Sequence, residues 1–220
     1  MPRPNERVVS ESRGRNSWRA HRIRIPLAMC TTMSLTFVKE ALKNWKTQGS
    51  LLPSTSALSR RMLEPLKVSP GMTIVELGAG TGIITKQILS KFPEDCRLIV
   101  FENNRNLAKR LRQDLQTNIR RGRVFLIEDD AAKLPLHLKS LNIPPVHYVI
   151  SGLPIANFDH AGRERLFRAI TESMRDDGAY IQFQYLLTSW LHVRRSFKAK
   201  IIGLELRNFP PAFIYKCRKK

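Results

Sequence analysis

The sequence predicts an α/β fold: a mostly parallel, seven-stranded sheet covered by helices on both faces, with an antiparallel hairpin at one edge. Three observations predict it. From Met72 onward, short apolar runs rich in β-branched residues alternate with helical stretches, the pattern of strand–helix–strand units. Most of those runs are apolar throughout, as in strands buried on both faces. The last two runs have no clear helical stretch between them and read as a hairpin.

Before the sheet, Ser34 is placed to cap a helix running to about residue 47. Leu35, Val38, Leu42 and Trp45 form its apolar stripe, with Phe37 and Ala41 beside them. Lys39, Lys43 and Lys46 lie on its other faces. Gly49 ends it, and Pro53-Ser54-Thr55 opens a second helix to about residue 66. The sheet then follows in order: a strand over 72–77, a helix over 81–92, a strand over 97–102, a charged helix over 105–119 and a strand over 123–127. After a proline-containing loop come a strand over 146–151, a helix over 162–174 and a strand over 179–185. Strands over 200–206 and 212–217 close the chain. Three regions result: a basic, disordered tail over 1–32, N-terminal helices over 33–66 that cap the substrate or meet a membrane, and a core over 67–220.

Composition narrows the chemistry. The 38 Lys and Arg against 18 Asp and Glu give a net charge of +20. Such a surface attracts polyanions, either nucleic acid or an anionic bilayer face. Three scattered cysteines, Cys30, Cys96 and Cys217, predict reduced thiols rather than a disulfide framework. The five histidines show no metal-ligand spacing, so no metal is expected. No apolar run approaches the roughly 20 residues that span a bilayer. The Arg-rich first 26 residues lack the apolar segment of a secretory signal. Met29 and Met33 offer later starts, and two glutamates argue against a mitochondrial transit peptide.

The first strand runs into Glu76-Leu77-Gly78-Ala79-Gly80-Thr81-Gly82. Glycines at a strand-to-helix turn let backbone approach a ligand at the carboxyl edge of the sheet. An acidic strand end is wrong for a pyrophosphate and right for a cofactor carrying an ammonium and a sulfonium. Glu102, followed by Asn103, ends the second strand, where a carboxylate can accept from two ribose hydroxyls. Asp129 and Asp130 end the third, with Ala131 and Ala132 behind, and one of the pair can accept from an adenine amino group.

This pattern resembles the class I S-adenosylmethionine-dependent methyltransferases over residues 72–132, which implies a Rossmann-like core and S-adenosyl-L-methionine as cofactor. The resemblance implies Glu76, Gly78, Gly80, Thr81 and Gly82 as the cofactor loop. It makes Glu102 with Asn103 the ribose site, and Asp129 or Asp130 with Ala131 the adenine site. Ser151 borders both cofactor and acceptor.

The acceptor side is read from Ser151-Gly152-Leu153-Pro154-Ile155, then Ala156-Asn157-Phe158. Methyltransferases acting on nucleobase amines usually carry Asn or Asp where Ser151 stands and an aromatic where Ile155 stands. Base stacking is worth roughly 1–3 kcal/mol per base, so the missing ring is a handicap for RNA. The ribosomal RNA adenine dimethyltransferases share the Gly-Leu-Pro element and append a helical domain for which the chain has no residues after the seventh strand. Taken with the N-terminal helix, the 49–55 segment and Gln182-Phe183-Gln184-Tyr185, the motifs resemble the bacterial phospholipid N-methyltransferases over residues 34–217.

That resemblance implies methylation of phosphatidylethanolamine towards phosphatidylcholine. Ornithine-lipid N-methylation and ribosomal RNA adenine N-methylation are the alternatives. The expected partners are an anionic membrane surface and the lipid amine, with nucleic acid second and the oligomeric state open. The expected place is the cytoplasm, peripherally on the inner face of the membrane. Catalytic candidates are Tyr185, Ser151 and Asn157. Phe158 and Trp190 are aromatic candidates for a developing quaternary ammonium, and Arg194, Arg195, Lys198 and Lys200 for the lipid phosphate. His160 is a candidate proton acceptor. A non-catalytic protein that keeps the fold is disfavoured by the complete acidic set.

Overall fold

A computed structural model describes residues 56–185, 189–206 and 211–220. The predicted helix over 34–47, the tail and the boundary between them lie outside these residues. Helix α1 (Ser56–Leu63) is the described part of the second predicted helix.

Seven strands form one sheet in the order β3-β2-β1-β4-β5-β7-β6. The first four are β1 (Thr73–Leu77), β2 (Arg97–Phe101), β3 (Val124–Ile127) and β4 (Val146–Ser151). With β5 (Met174–Gln184) they pair in parallel, while β7 (Ala212–Arg218) runs antiparallel to both β5 and β6 (Lys198–Glu205). The crossovers are α2 (Ile83–Lys91), α3 (Arg105–Asp114), α4 (Gln116–Arg120), α5 (Leu134–Ser140), α6 (His160–Ser173) and α7 (Trp190–Ser196). The predicted architecture is therefore the observed one.

Successive strand residues face opposite ways, so the sheet carries two cores. Ile74, Leu98, Ile150, Ile181 and Ile214 pack with Leu58, Met62, Ile84 and Leu111 of α1, α2 and α3. Val75, Ile99, Val149, Tyr180 and Tyr215 pack with Leu138, Phe167, Ile170 and Val193 of α5, α6 and α7. Among the described residues no helix is long and apolar enough to cross a membrane.

Four local readings change. The charged helix over 105–119 breaks at Leu115, whose amide still reaches the Leu111 carbonyl while its backbone leaves helical geometry. The proline-containing loop before β4 holds α5, because Pro135 sits in the first turn, where a missing amide costs nothing. Met174 begins β5 instead of ending the preceding helix. That strand starts five residues earlier than expected, and its pairing with β4 shifts register near Gly178. Between β5 and β6 the chain forms α7, which buries Val193 and sends Trp190 against Tyr215 at 5.1 Å.

Candidate cofactor and acceptor site

Register brings the predicted site residues to one edge. Leu77 pairs with Phe101 and Ser151, Phe101 with Ile127, and Ser151 with Gln182. Glu76, Glu102, the two aspartates and Ser151 therefore meet at the carboxyl ends of neighbouring strands.

Glu76 lies on the face of β1 covered by α2 and is fully buried. Thr85, in the first turn of α2, donates its hydroxyl to Oε2 at 2.6 Å, while Oε1 has no partner. Burial pushes the carboxyl up to about 7, against the lowering effect of the Thr85 bond, with a small added push from the Glu102 charge. An orphaned, buried carboxylate oxygen is costly unless a cationic group completes it.

The turn after β1 has the shape such a ligand needs. Gly78, Gly80 and Gly82 all hold positive φ, at 75°, 58° and 79°. That conformation penalises any residue with a Cβ. The Gly80 amide donates to Glu102 Oε2 at 2.7 Å, and the Asn104 amide donates to Oε1 at 2.8 Å. Glu102 thus fastens the glycine turn to the start of α3, and each oxygen keeps a second lone pair. Asn104 caps α3 through its side chain; Asn103 and Thr81 are exposed.

The aspartates divide their tasks. Asp129 accepts from His137 Nε2 and Lys133 Nζ, each at 2.9 Å, which hold its carboxyl well below the ordinary range. Asp130 is exposed, and one oxygen caps the short 3-10 turn Ala131–Lys133 by accepting from Ala132. Asp129 is the more committed of the two to its own loop.

The acceptor candidates lie in different surroundings. Ser151 is fully buried; its hydroxyl accepts from the Leu153 amide at 3.1 Å and hydrogen-bonds Tyr180. Ile155 is fully buried in the second core, and Asn157 is exposed at the end of the 3-10 turn Ile155–Asn157. Phe158 is half-buried against the same core as Ile155, and His160 is exposed at the start of α6. Tyr185 packs edge-on to Phe183 at 5.4 Å in the first core, on the same side of the sheet as Glu76.

A buried polar clamp, missed from sequence, holds the acceptor loop. Gln182 and Gln184 both donate to the Leu153 carbonyl, at 3.0 and 3.3 Å, and Tyr180 donates to Gln182 Oε1 at 2.6 Å. Leu153 in turn covers Gly78: a Cβ there would stand 2.6 Å from Leu153 Cδ2. Only the two glutamines, spaced to share one strand face, signal this in the sequence. Thr85 carries no signal at all. Gln182→Leu leaves the Leu153 carbonyl and the Tyr180 hydroxyl short of a partner, so it should cost about 1–3 kcal/mol of stability, read by denaturant titration.

Among the described residues no group of three His, Cys, Asp or Glu is arranged to hold a metal ion, and Cys96 and Cys217 are free and buried. The glycine turn and the orphaned Glu76 oxygen fit a ligand with a cationic amine.

The chain is similar to several known methyltransferases. The family model described as ribosomal RNA adenine dimethylase matches residues 51–195. An ornithine lipid N-methyltransferase of Singulisphaera acidiphila is 32% identical over 185 residues, 83% of this chain and 94% of that one. A probable ribosomal RNA small subunit methyltransferase A of Methanospirillum hungatei is 33% identical over 94 residues, 43% of this chain and 32% of that one. The crystal structure of a precorrin-6y C5,15-methyltransferase of Geobacter metallireducens superposes with a TM-score of 0.59 at 16% identity, over 77% of this chain and 90% of that one. At that identity it speaks for the fold alone.

Proposed function

The chain belongs to the ribosomal RNA adenine dimethylase family and is an S-adenosylmethionine-dependent methyltransferase, and from that premise we propose that its acceptor is the free amine of a membrane lipid, ornithine lipid foremost. The observation that carries this reading is the likeness to an ornithine lipid N-methyltransferase along most of both chains. The likeness to a ribosomal RNA enzyme is confined to a minor part of each. The β4 exit supports the same choice. A nucleobase amine needs an accepting side chain and a stacking ring there, whereas Ser151 and Ile155 are buried and turned to the loop and the core. Phosphatidylethanolamine, put first by sequence, becomes the second reading.

In this proposal Glu76 holds the ammonium of the cofactor and Gly78 to Gly82 lend it their backbone. Glu102 accepts from the ribose hydroxyls with its remaining lone pairs. Asp130, less committed than Asp129, faces the adenine. When bound, S-adenosylmethionine supplies an electrophilic methyl group on a positively charged sulfur. The residues of this chain do the rest: the Gln182–Gln184 clamp fixes the Leu153 carbonyl, and with it the floor on which the acceptor amine rests. Tyr185, on the Glu76 side of the sheet, is the aromatic candidate for the amine, which passes from neutral to cationic as it accepts a methyl. Positioning of this kind can supply roughly 7–11 kcal/mol of the barrier. An alkyl amine is an ammonium near neutrality, with a pKa of roughly 10, and must lose a proton before it attacks. Turnover at saturating substrate should therefore rise up to about tenfold per pH unit between pH 7 and 9. The +20 charge is suited to an anionic inner membrane face, where the protein would sit as a peripheral enzyme.

The test is expression in a bacterium that makes both ornithine lipid and phosphatidylethanolamine and methylates neither, followed by lipid mass spectrometry. Methylated ornithine lipid is expected. Methylated phosphatidylethanolamine alone would move the acceptor to the second reading. Unaltered lipids with newly dimethylated adenine in ribosomal RNA would overturn the lipid assignment.

A further inference from the structure

We propose that the enzyme seats on the bilayer through Leu191 and Leu206, framed by Arg194 and Arg195, at the β7–β6 end of the edge that carries the site; this rests on the lipid-amine reading. Helix α7 has two unlike sides. Trp190, Val193 and Phe197 face the core, while Leu191, Arg194 and Arg195 share the outer side at i, i+3 and i+4. Leu191 is 63% exposed and Leu206 is 57% exposed.

Register gives their level. The Trp190 ring packs at a tilt against Tyr215, which pairs with Gln182, in line with Ser151 and the end of β1. Leu204 pairs with Phe213, which pairs with Gln184, so Leu206 emerges just past the carboxyl end of β5. Both leucines thus leave the protein at the height where the glycine turn and the acceptor loop open.

The chemistry selects the partner. Arg194 rests its guanidinium over the Trp190 ring, 5.7 Å from the centroid, and stays exposed beside Arg195, where both can meet lipid phosphates. An exposed leucine gains nothing from an RNA backbone, whose attraction is electrostatic. It gains a great deal from an acyl-chain boundary, and arginines beside it keep their heads among the phosphates. A peripheral enzyme bound by this edge would face the lipid amine without lifting it from the membrane.

Sedimentation of the full-length chain with vesicles of phosphatidylglycerol and phosphatidylcholine tests the seat. The double variant L191Q/L206Q, which changes no charge, should partition at least roughly tenfold less, whereas L136Q, which alters another exposed leucine, should behave as wild type. The double variant should keep wild-type turnover of the amine lipid dispersed in detergent micelles. It should also keep wild-type retention of a structured RNA, which reads electrostatics alone. Unchanged vesicle partition overturns the seat, as does a loss of RNA retention equal to the loss on vesicles. Failure of the wild type to methylate any lipid would overturn the acceptor assignment instead, while the sedimentation result would still be read.

Discussion

Replacing Glu76 by Gln removes cofactor binding and makes the cofactor-free protein more stable above pH 7. Both effects come from one buried charge. In the free protein the Glu76 carboxyl is fully buried with Oε1 unpartnered, and burial raises its pKa from 4.5 to about 7. The folded state therefore holds a proton that the unfolded chain releases between those values. The stabilisation linked to that proton is fully present below pH 4.5 and is lost as pH rises through 7. The loss is about 3 kcal/mol. Gln does not titrate, so the variant should lack this slope in denaturant melts between pH 5 and 8. Binding moves the other way. A charge-assisted bond in a dry site is worth upwards of 2 kcal/mol, so calorimetry should find S-adenosylmethionine bound roughly 100-fold more weakly or not at all. In the wild type the affinity should fall about tenfold per unit below pH 7, as the carboxylate takes up its proton. Wild-type affinity in the Gln variant would place the ammonium elsewhere.

Gly152→Ala should cost about 100-fold in kcat/KM while leaving the chain folded. A Cβ at residue 152 would stand 2.9 Å from the Gly78 carbonyl oxygen, and that atom is backbone, with no rotamer to yield. The Gly152 amide also donates to the Leu77 carbonyl at 2.9 Å, tying the β4 exit to the β1 exit. The added methyl group therefore separates the two loops that must hold donor and acceptor together. A misplacement of about 1 Å between reacting groups costs on the order of 10²-fold in rate, and overpacking about 1–3 kcal/mol in stability. Steady-state kinetics beside a thermal melt separates the two losses. Full activity in the G152A variant would mean that this close approach does not set the reaction geometry.

The acidic set was legible in the sequence because each member ends an apolar run, and a residue's place along a parallel strand sets the edge at which it emerges. The acceptor side was less legible. Ser151 looked like a group for the substrate, and the fold uses its hydroxyl on the Leu153 amide and Tyr180. Gln182 and Gln184 looked like features of a motif; their bonds reach back 29 and 31 residues, a distance that no local pattern encodes. The preference between Asp129 and Asp130 likewise waited on Lys133 and His137, which reach Asp129 only once the turn and α5 have formed.

The sequence by itself determined the parallel sheet, the glycine turn, the acidic strand ends and the strongly basic surface, since periodicity and residue chemistry are written along the chain. The order of the last two strands was a tertiary decision. β7 inserts beside β5 and leaves β6 at the edge, because Ala212, Ile214, Tyr215 and Cys217 bury both faces of β7, whereas β6 exposes Lys198 and Lys200. Packing also decided that Glu76 keeps one oxygen free and that the Ser151 hydroxyl is bonded to the Leu153 amide and Tyr180. Those outcomes depend on which distant groups share a buried space, and only the folded chain brings them together.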